Sequence, residues 1–129
     1  MKKEIKLNNE EAAWLSKNIK NTLYLLELQG EKDPEVLKRK NYLFLKSILP
    51  AALDIDKALS TELPDGVEAD IILSLSQGEK NRLTRMTEST LAVLETTILP
   101  KYKELGLENY AGETLRKVSM LKALMRKLR

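Results

Sequence analysis

Apolar residues recur at every second position in two short stretches of the chain. Ile5 and Leu7 do so near the start, and Ile71, Leu73 and Leu75 do so in the second half. A period of two is typical of a half-buried strand. In each stretch the pattern changes directly to the three- and four-residue spacing of an amphipathic helix. We therefore predict two short strands, each leading into a helix.

The same start signal stands between each strand and its helix. Asn8 and Ser76 are good N-cap residues, and Glu11 and Glu79 follow three positions later. In such a capping box the cap side chain accepts a hydrogen bond from the N3 backbone, and the glutamate accepts one from the cap backbone. Both helices are predicted to begin at these residues.

Glycine and proline set the remaining boundaries of the first helix pair. The first helix is predicted to run to about Gln29, with Gly30 ending it at the C′ position. The second is predicted to start with Asp33 as cap and Pro34 in the first helical position, and to reach about Leu49.

Further breaks are expected along the rest of the chain. Pro50 either kinks the second helix or begins a following helical piece. The Leu-Pro-Asp-Gly-Val stretch predicts a turn in which Gly66 takes a positive φ. Pro100 interrupts the third helical pattern, which Gly106 is predicted to stop. A last helix is predicted from near Gly112 to the end of the chain.

These elements predict a mainly α fold with four principal helices in a bundle-like layer and a small two-stranded β element. We expect one domain over residues 1–129. At a shift of 68, residues 5–27 and 73–95 align without a gap, and seven of 23 positions are identical. One interpretation is an internal strand–helix–helix duplication, in which the two strands pair antiparallel about a pseudo-twofold axis. The other is convergence, because the same physics selects any two capped amphipathic helices.

If the duplication is real, its halves are residues 1–50 and 70–129, and residues 51–69 connect them. That connector is acidic, with a net charge of −5 over residues 51–75. Carboxylates can bind Ca²⁺ or Mg²⁺, but an EF-hand spacing is absent, and we favour a solvated connector without metal. The acidic residues are Asp54, Asp56, Glu62, Asp65, Glu68 and Asp70.

Threonines are frequent in the third helix, and Thr87, Thr90 and Thr97 fall on its apolar face. A buried threonine hydroxyl can bond the carbonyl one turn back. Small side chains also allow helices to approach closely, as at a dimer interface. We favour internal packing.

The composition of the chain excludes several kinds of metal site and makes several kinds of catalysis unfavourable. The chain contains no Cys, which rules out disulfides and thiolate metal sites, and no His, the commonest general acid–base residue. We find no glycine-rich phosphate loop and neither a Gly-x-Gly-x-x-Gly nor a Gly-x-Ser-x-Gly motif, so we expect no enzyme, cofactor or small-molecule substrate. Apolar runs are far shorter than a membrane span requires, and the start lacks a signal-peptide pattern. A cytoplasmic protein is expected.

Basic residues cluster in two places, although the net charge is only +3. Residues 114–129 hold six basic residues and no acidic one. This last helix has three interpretations. In the first it is part of the scaffold, and its cations lie at the negative end of the helix dipole. In the second its basic face contacts phosphates, and in the third it binds in a partner's groove or on a membrane surface. The candidate anion contacts in the two clusters are Lys38, Arg39, Lys40, Arg116, Lys122, Arg126 and Arg129.

The sequence thus favours a small non-enzymatic interaction protein, a regulator or adaptor that acts through helix surfaces as a homodimer. This hypothesis predicts a sizeable exposed apolar patch or a two-fold contact. The alternative is a nucleic-acid-binding protein that uses the basic helix faces. A membrane partner is not expected, because the basic helix lacks Trp and Phe anchors.

Overall fold

The computed structural model describes residues 2–67 and 71–129, and the fold is mainly α. Four principal helices accompany a two-stranded antiparallel sheet, which confirms the predicted fold class. Strand β1 spans Lys3–Leu7 and strand β2 spans Ile71–Leu75. The predicted pairing of the two strands is therefore also confirmed.

The period-two pattern appears in the sheet as alternating burial. Ile5 and Leu7 in β1, and Ile71, Leu73 and Leu75 in β2, are buried, while the residues between them are exposed. A strand places successive side chains on opposite faces. One face of the sheet is therefore part of the apolar core.

The chain divides into two compact units, and the boundary falls inside both strands. The first unit comprises Lys6–Leu73, and the second comprises Met1–Ile5 with Ser74–Arg129. Each unit contains one pair of packed helices. These units differ from the predicted halves, because residues 51–59 are helical and belong to the first unit rather than to a connector.

In the first unit, α1 (Asn9–Lys32) packs on α2 (Lys40–Leu59), and a 3₁₀ segment (Pro34–Lys38) joins them. The prediction that Gly30 ends α1 is wrong, because the helix continues through it. A Cβ on Gly30 would lie 2.5 Å from Leu37 Cδ2. Glycine is therefore required here by the close approach of the 3₁₀ segment rather than by a helix stop.

The second helix also departs from its predicted bounds. Asp33 does act as a cap, since its side chain accepts from the Glu35 backbone, but it caps the 3₁₀ segment. Helix α2 begins at Lys40 and runs through Pro50 to Leu59. Proline removes one helical hydrogen bond, and the buried face formed by Ile48 and Ala52 continues across it. Packing on α1 thus holds both sides of Pro50 in one helix.

In the second unit, helical backbone is continuous from Gln77 to Glu104 as α3 (Gln77–Val93), a π-helical segment (Leu94–Ile98) and α4 (Leu99–Glu104). Helix α5 (Glu108–Leu128) packs against α3 and α4. The π segment stands just before Pro100, and the Leu99 N–H bonds to the Leu94 carbonyl. Pro100 has no backbone N–H to donate, and the wider π turn accommodates this loss, so the proline does not end the helix.

The π segment also changes which side chains face the core. Leu99, five residues after Leu94, is buried, whereas Thr97 is exposed. The placement of Thr97 on the apolar face was therefore wrong, because that prediction assumed an unbroken α-helical period. Thr87 is fully buried, and its hydroxyl donates to the Leu83 carbonyl one turn back at 2.8 Å, as internal packing predicts.

Two glycines occupy positive φ, as predicted for Gly66, and Gly106 stops its helix as predicted. Gly66 has a φ of 81° in a turn closed by a Val67 N–H to Pro64 carbonyl bond. Gly106 has a φ of 71° and ends α4. There the Gly106 and Leu107 N–H groups bond back to the Lys103 and Tyr102 carbonyls, as in a Schellman motif.

Helix α5 begins at Glu108, four residues before the predicted start at Gly112. The Schellman turn returns the chain to helical geometry at once, and Leu107 precedes the helix without a side-chain cap. Gly112 lies in the helix interior, with no neighbouring atom near the position of a Cβ. Glycine is a weak helix former, but α5 accommodates it in its interior.

Both predicted capping boxes are present. Asn8 Oδ1 accepts from the Glu11 N–H at 2.8 Å, and Glu11 Oε1 accepts from the Asn8 N–H at 3.0 Å. Ser76 Oγ and Glu79 Oε1 make the corresponding pair at 3.2 and 2.8 Å. Both helix starts are therefore fixed by local hydrogen bonds.

Candidate interaction surfaces

The first basic cluster lies where the 3₁₀ segment meets α2. Lys38, Arg39 and Lys40 are all exposed. Lys38 Nζ lies 3.3 Å from Glu35 Oε1 in an exposed ion pair. Arg39 is the N-cap residue of α2, and its side chain makes no capping hydrogen bond. These cations stand at the positive end of the α2 dipole, where they do not help the helix.

The second basic cluster lies on α5, and half of its candidate residues bind within their own unit. Lys122 Nζ is 3.5 Å from Glu95 Oε1, and Arg129 Nη2 is 3.2 Å from Glu88 Oε1. For these two residues the scaffold interpretation is supported. Arg116 and Arg126 are also exposed. The two basic clusters belong to different units.

One acidic residue of the predicted connector has a structural partner. Asp56, on α2, pairs with Lys20 on α1 at 2.5 Å and accepts from the buried Ser16 hydroxyl. The Lys20 hydrogen bond, followed by the Ser16 bond, holds the pKa of Asp56 below its usual value. The prediction of a purely solvated stretch is thus wrong at Asp56, because this carboxylate joins the two helices.

The other acidic residues of that stretch form no metal site in the part of the chain described. Asp54, Glu62 and Asp65 are exposed. No group of three or more Asp and Glu within residues 2–67 and 71–129 is arranged to hold a metal ion. Glu68 and Asp70, which the sequence also suggested, lie outside the described residues.

Helix α1 carries exposed apolar side chains on the side away from α2. Tyr24, Leu25 and Leu28 are 62 %, 56 % and 40 % exposed. We call these three residues the α1 patch. Leu28 lies three residues after Leu25 and four after Tyr24, so it adjoins both on the helix surface and the three form one contiguous surface. Single exposed leucines are common in folded proteins, but a cluster is typical of a binding surface.

The second unit provides an internal comparison for this patch. At the shift of 68 that superimposes the two capping boxes, the patch positions correspond to Ala92, Val93 and Thr96. Helix α3 therefore builds an equivalent capped, buried stripe with only one large apolar residue at these positions. The second unit thus builds a similar helix without an apolar cluster at these positions.

A second apolar surface lies at the turn between α4 and α5. Leu105, Leu107 and Tyr110 are exposed, and the rings of Tyr102 and Tyr110 lie 5.5 Å apart. Residues 106–110 line a shallow open depression of about 290 Å³. Among these five residues, only Glu108 has a carboxylate side chain.

Sequence reasoning did not identify either apolar surface. Leu25 and Leu28 fall outside the buried stripe of Leu15, Ile19 and Leu23. Apolar residues outside a single buried stripe were the sequence signal for a second apolar surface on this helix.

Membrane insertion finds no support in the helices. Within the described part of the chain, no helix combines the length and the apolar character required to cross a bilayer.

No protein-family profile matches this chain, and neither the curated proteins nor the solved structures gave a significant match. A function must therefore be argued from the surfaces themselves.

Proposed function

We propose that the protein is a small non-enzymatic interaction protein, a regulator or adaptor, that binds partners through the α1 patch. The observation that carries the proposal is the exposure of Tyr24, Leu25 and Leu28 on one helix face. Burying a leucine side chain contributes about 1.5–3 kcal/mol. Two such leucines and the adjacent Tyr24 would supply an apolar centre for an interface, where a few side chains contribute most of the binding energy.

Composition and surface character support the non-enzymatic part of the proposal. The chain has no His and no Cys. The cytoplasmic location expected from the sequence is also part of this proposal, and the expected homodimer is a separate proposal. Cell fractionation tests the location, and self-association is considered in the next subsection.

Site-specific photocrosslinking tests the function directly. A photoreactive residue placed at Leu25 is expected to give discrete protein adducts in cells of the source organism, and a Leu28→Glu substitution is expected to remove them. The matched control places the same group at Val93, the exposed equivalent on α3. Absence of adducts at Leu25, or the same adducts from both positions, would overturn the proposal.

Nucleic-acid binding is the second candidate, and one observation favours it. Three exposed cations, Lys38, Arg39 and Lys40, gather at an α2 N-terminus that has no side-chain cap. Backbone N–H groups and cations together attract phosphate. The ion pairs of Lys122 and Arg129 weaken the case for α5.

Fluorescent random duplex DNA and single-stranded RNA test this candidate. Binding that falls steeply as salt rises, and that is lost in Arg39→Glu but retained in Arg126→Glu, would support it at α2. The absence of any binding at low salt would exclude it.

A further inference from the structure

The outer face of α1 has a symmetric order about Asn21. Trp14 precedes Asn21 by seven residues, and Leu28 follows it by seven. Lys17 precedes it by four, and Leu25 follows it by four. Spacings of four and seven place these residues on one face of a helix. Trp14 is half-buried and the other four are exposed.

The charges at the two ends of this face are opposite. Glu10 precedes Asn21 by eleven residues, and Lys32 follows it by eleven, which is about three helical turns in each direction. Both side chains are exposed, and neither makes an ion pair with another described residue. The face is thus acidic at its start and basic at its end, and its middle carries the apolar residues together with Asn21 and Lys17.

Resting on the proposed function, we propose that the α1 patch binds a second copy of this chain, with the two α1 helices antiparallel and Asn21 at the two-fold axis. A two-fold contact requires that residue i meet residue j while j meets i. In this register Glu10 meets Lys32 of the other copy twice. Trp14 meets Leu28 twice, and the aliphatic stem of Lys17 covers Leu25.

The complementarity is particular to α1. At the shift of 68, Glu10, Trp14 and Lys32 correspond to Gly78, Arg82 and Pro100 on the second unit's helix. That helix therefore has neither the terminal charges nor the aromatic anchor. One helix pair forms a small interface, so a weak dimer is expected, with a Kd on the order of 10–100 µM.

Charge exchange between two full-length variants tests the register. Glu10→Lys alone would place two lysines together at each end of the contact, and Lys32→Glu alone would place two glutamates together. Each homodimer is expected to weaken about tenfold. Mixed in equal amounts, the two variants are expected to form a heterodimer at least as strong as the homodimer of the unmodified chain. At each end of that heterodimer one lysine of the first variant would face one glutamate of the second.

Sedimentation velocity from about 5 to 500 µM measures these equilibria across the expected Kd. Leu28→Glu is expected to abolish the dimer, and the matched Val93→Glu variant is expected to leave it unchanged. Far-UV circular dichroism of each variant identifies any loss of folding. A rise in salt is expected to reduce the preference for the heterodimer.

A wild-type chain that stays monomeric over this range would overturn the inference. So would a dimer that the two single charge variants do not weaken, or whose variants do not recover on mixing. These results are distinguishable from failure of the proposed function. Adducts at Leu25 that contain another protein and depend on Leu28 would retain the function while removing the self-association.

Discussion

Replacing Gly30 with alanine tests whether close approach, rather than a helix stop, explains this glycine. Gly30 lies within α1, and its added methyl group would meet Leu37 Cδ2 at 2.5 Å and Cγ at 2.6 Å. Carbon atoms normally approach no closer than about 3.5 Å. The 3₁₀ segment or the Leu37 side chain must therefore move.

The expected magnitude is the difference between two opposing effects. Alanine in a helix interior is favoured over glycine by about 1 kcal/mol. Inserting a methyl group into a packed contact costs about 1–3 kcal/mol. We expect Gly30→Ala to lower the free energy of unfolding by about 1 kcal/mol, because Cγ is not the flexible end of the Leu37 side chain.

Gly112→Ala is the matched control, since this glycine also lies inside a helix but has open space around it. It is expected to raise the free energy of unfolding by about 0.5–1 kcal/mol. Leu37→Ala removes the obstructing side chain. Combined with Gly30→Ala, it is expected to cost less than the sum of the two single changes.

Urea denaturation followed by far-UV circular dichroism and by Trp14 fluorescence measures these free energies and shows whether the two signals coincide. The reasoning is refuted if Gly30→Ala is as stable as Gly112→Ala, or if the effects of Gly30→Ala and Leu37→Ala simply add.

Three further substitutions have defined outcomes. Asp56→Asn removes an ion pair whose partners are 37 % and 41 % exposed, so the loss at pH 7 should be below about 1 kcal/mol. Because the folded-state pKa of Asp56 is lowered, the contribution of its carboxylate to stability is full above about pH 4 and is lost as pH falls through the folded pKa. The unfolding curves of wild type and variant should therefore converge in acid. A difference in unfolding free energy that persists in acid would contradict this account. Ser76→Ala should cost about 1 kcal/mol in urea denaturation, whereas Ser76→Asp should not, because aspartate also caps. Leu124→Ala, at a fully buried site, should lower the free energy of unfolding by about 2–5 kcal/mol. Leu115→Ala, at an exposed site of the same helix, should lower it by less than about 0.5 kcal/mol. Similar melting temperatures for the two variants would refute the placement of the core.

The features that could be predicted from sequence are those that local chemistry determines. Asn8 with Glu11, and Ser76 with Glu79, form their capping boxes from residues three positions apart. The Schellman turn at Gly106 needs only a left-handed residue after the helix. Even the strand pairing was anticipated, because the two strands have the same burial period and the same position before a cap.

The features that were missed depend on contacts between distant residues. Gly30 indicates a helix stop until the 3₁₀ segment is seen against it. Pro50 and Pro100 indicate breaks, but packing carries α2 through the first, and a π segment accommodates the second. The α1 patch was missed for a similar reason, because exposure is set by where the neighbouring helix lies.

The structure extends the internal comparison to the second helix of each unit. The buried residues Leu45, Ile48, Ala52 and Ile55 of α2 recur on α5 at a constant shift of 73 as Val118, Leu121, Met125 and Leu128. The shift is 68 for the strands and capping boxes, so the second unit has five more residues between its capping box and the buried residues of its second helix. A longer first helix, which includes the π segment, accounts for the direction of that change.

One ion pair bears most directly on duplication against convergence. Lys20 pairs with Asp56 in the first unit. At the shifts of 68 and 73, these positions are Glu88 and Arg129, which also pair with each other. Both signs are reversed and the attraction is kept, as expected if one pair changed by compensated substitutions. Selection for a well-capped helix explains the shared polar caps and glutamates, but it does not require a cross-helix ion pair at the same register. The reversal also means that the first helix of either unit would meet a like charge on the second helix of the other, which favours the native pairing during folding.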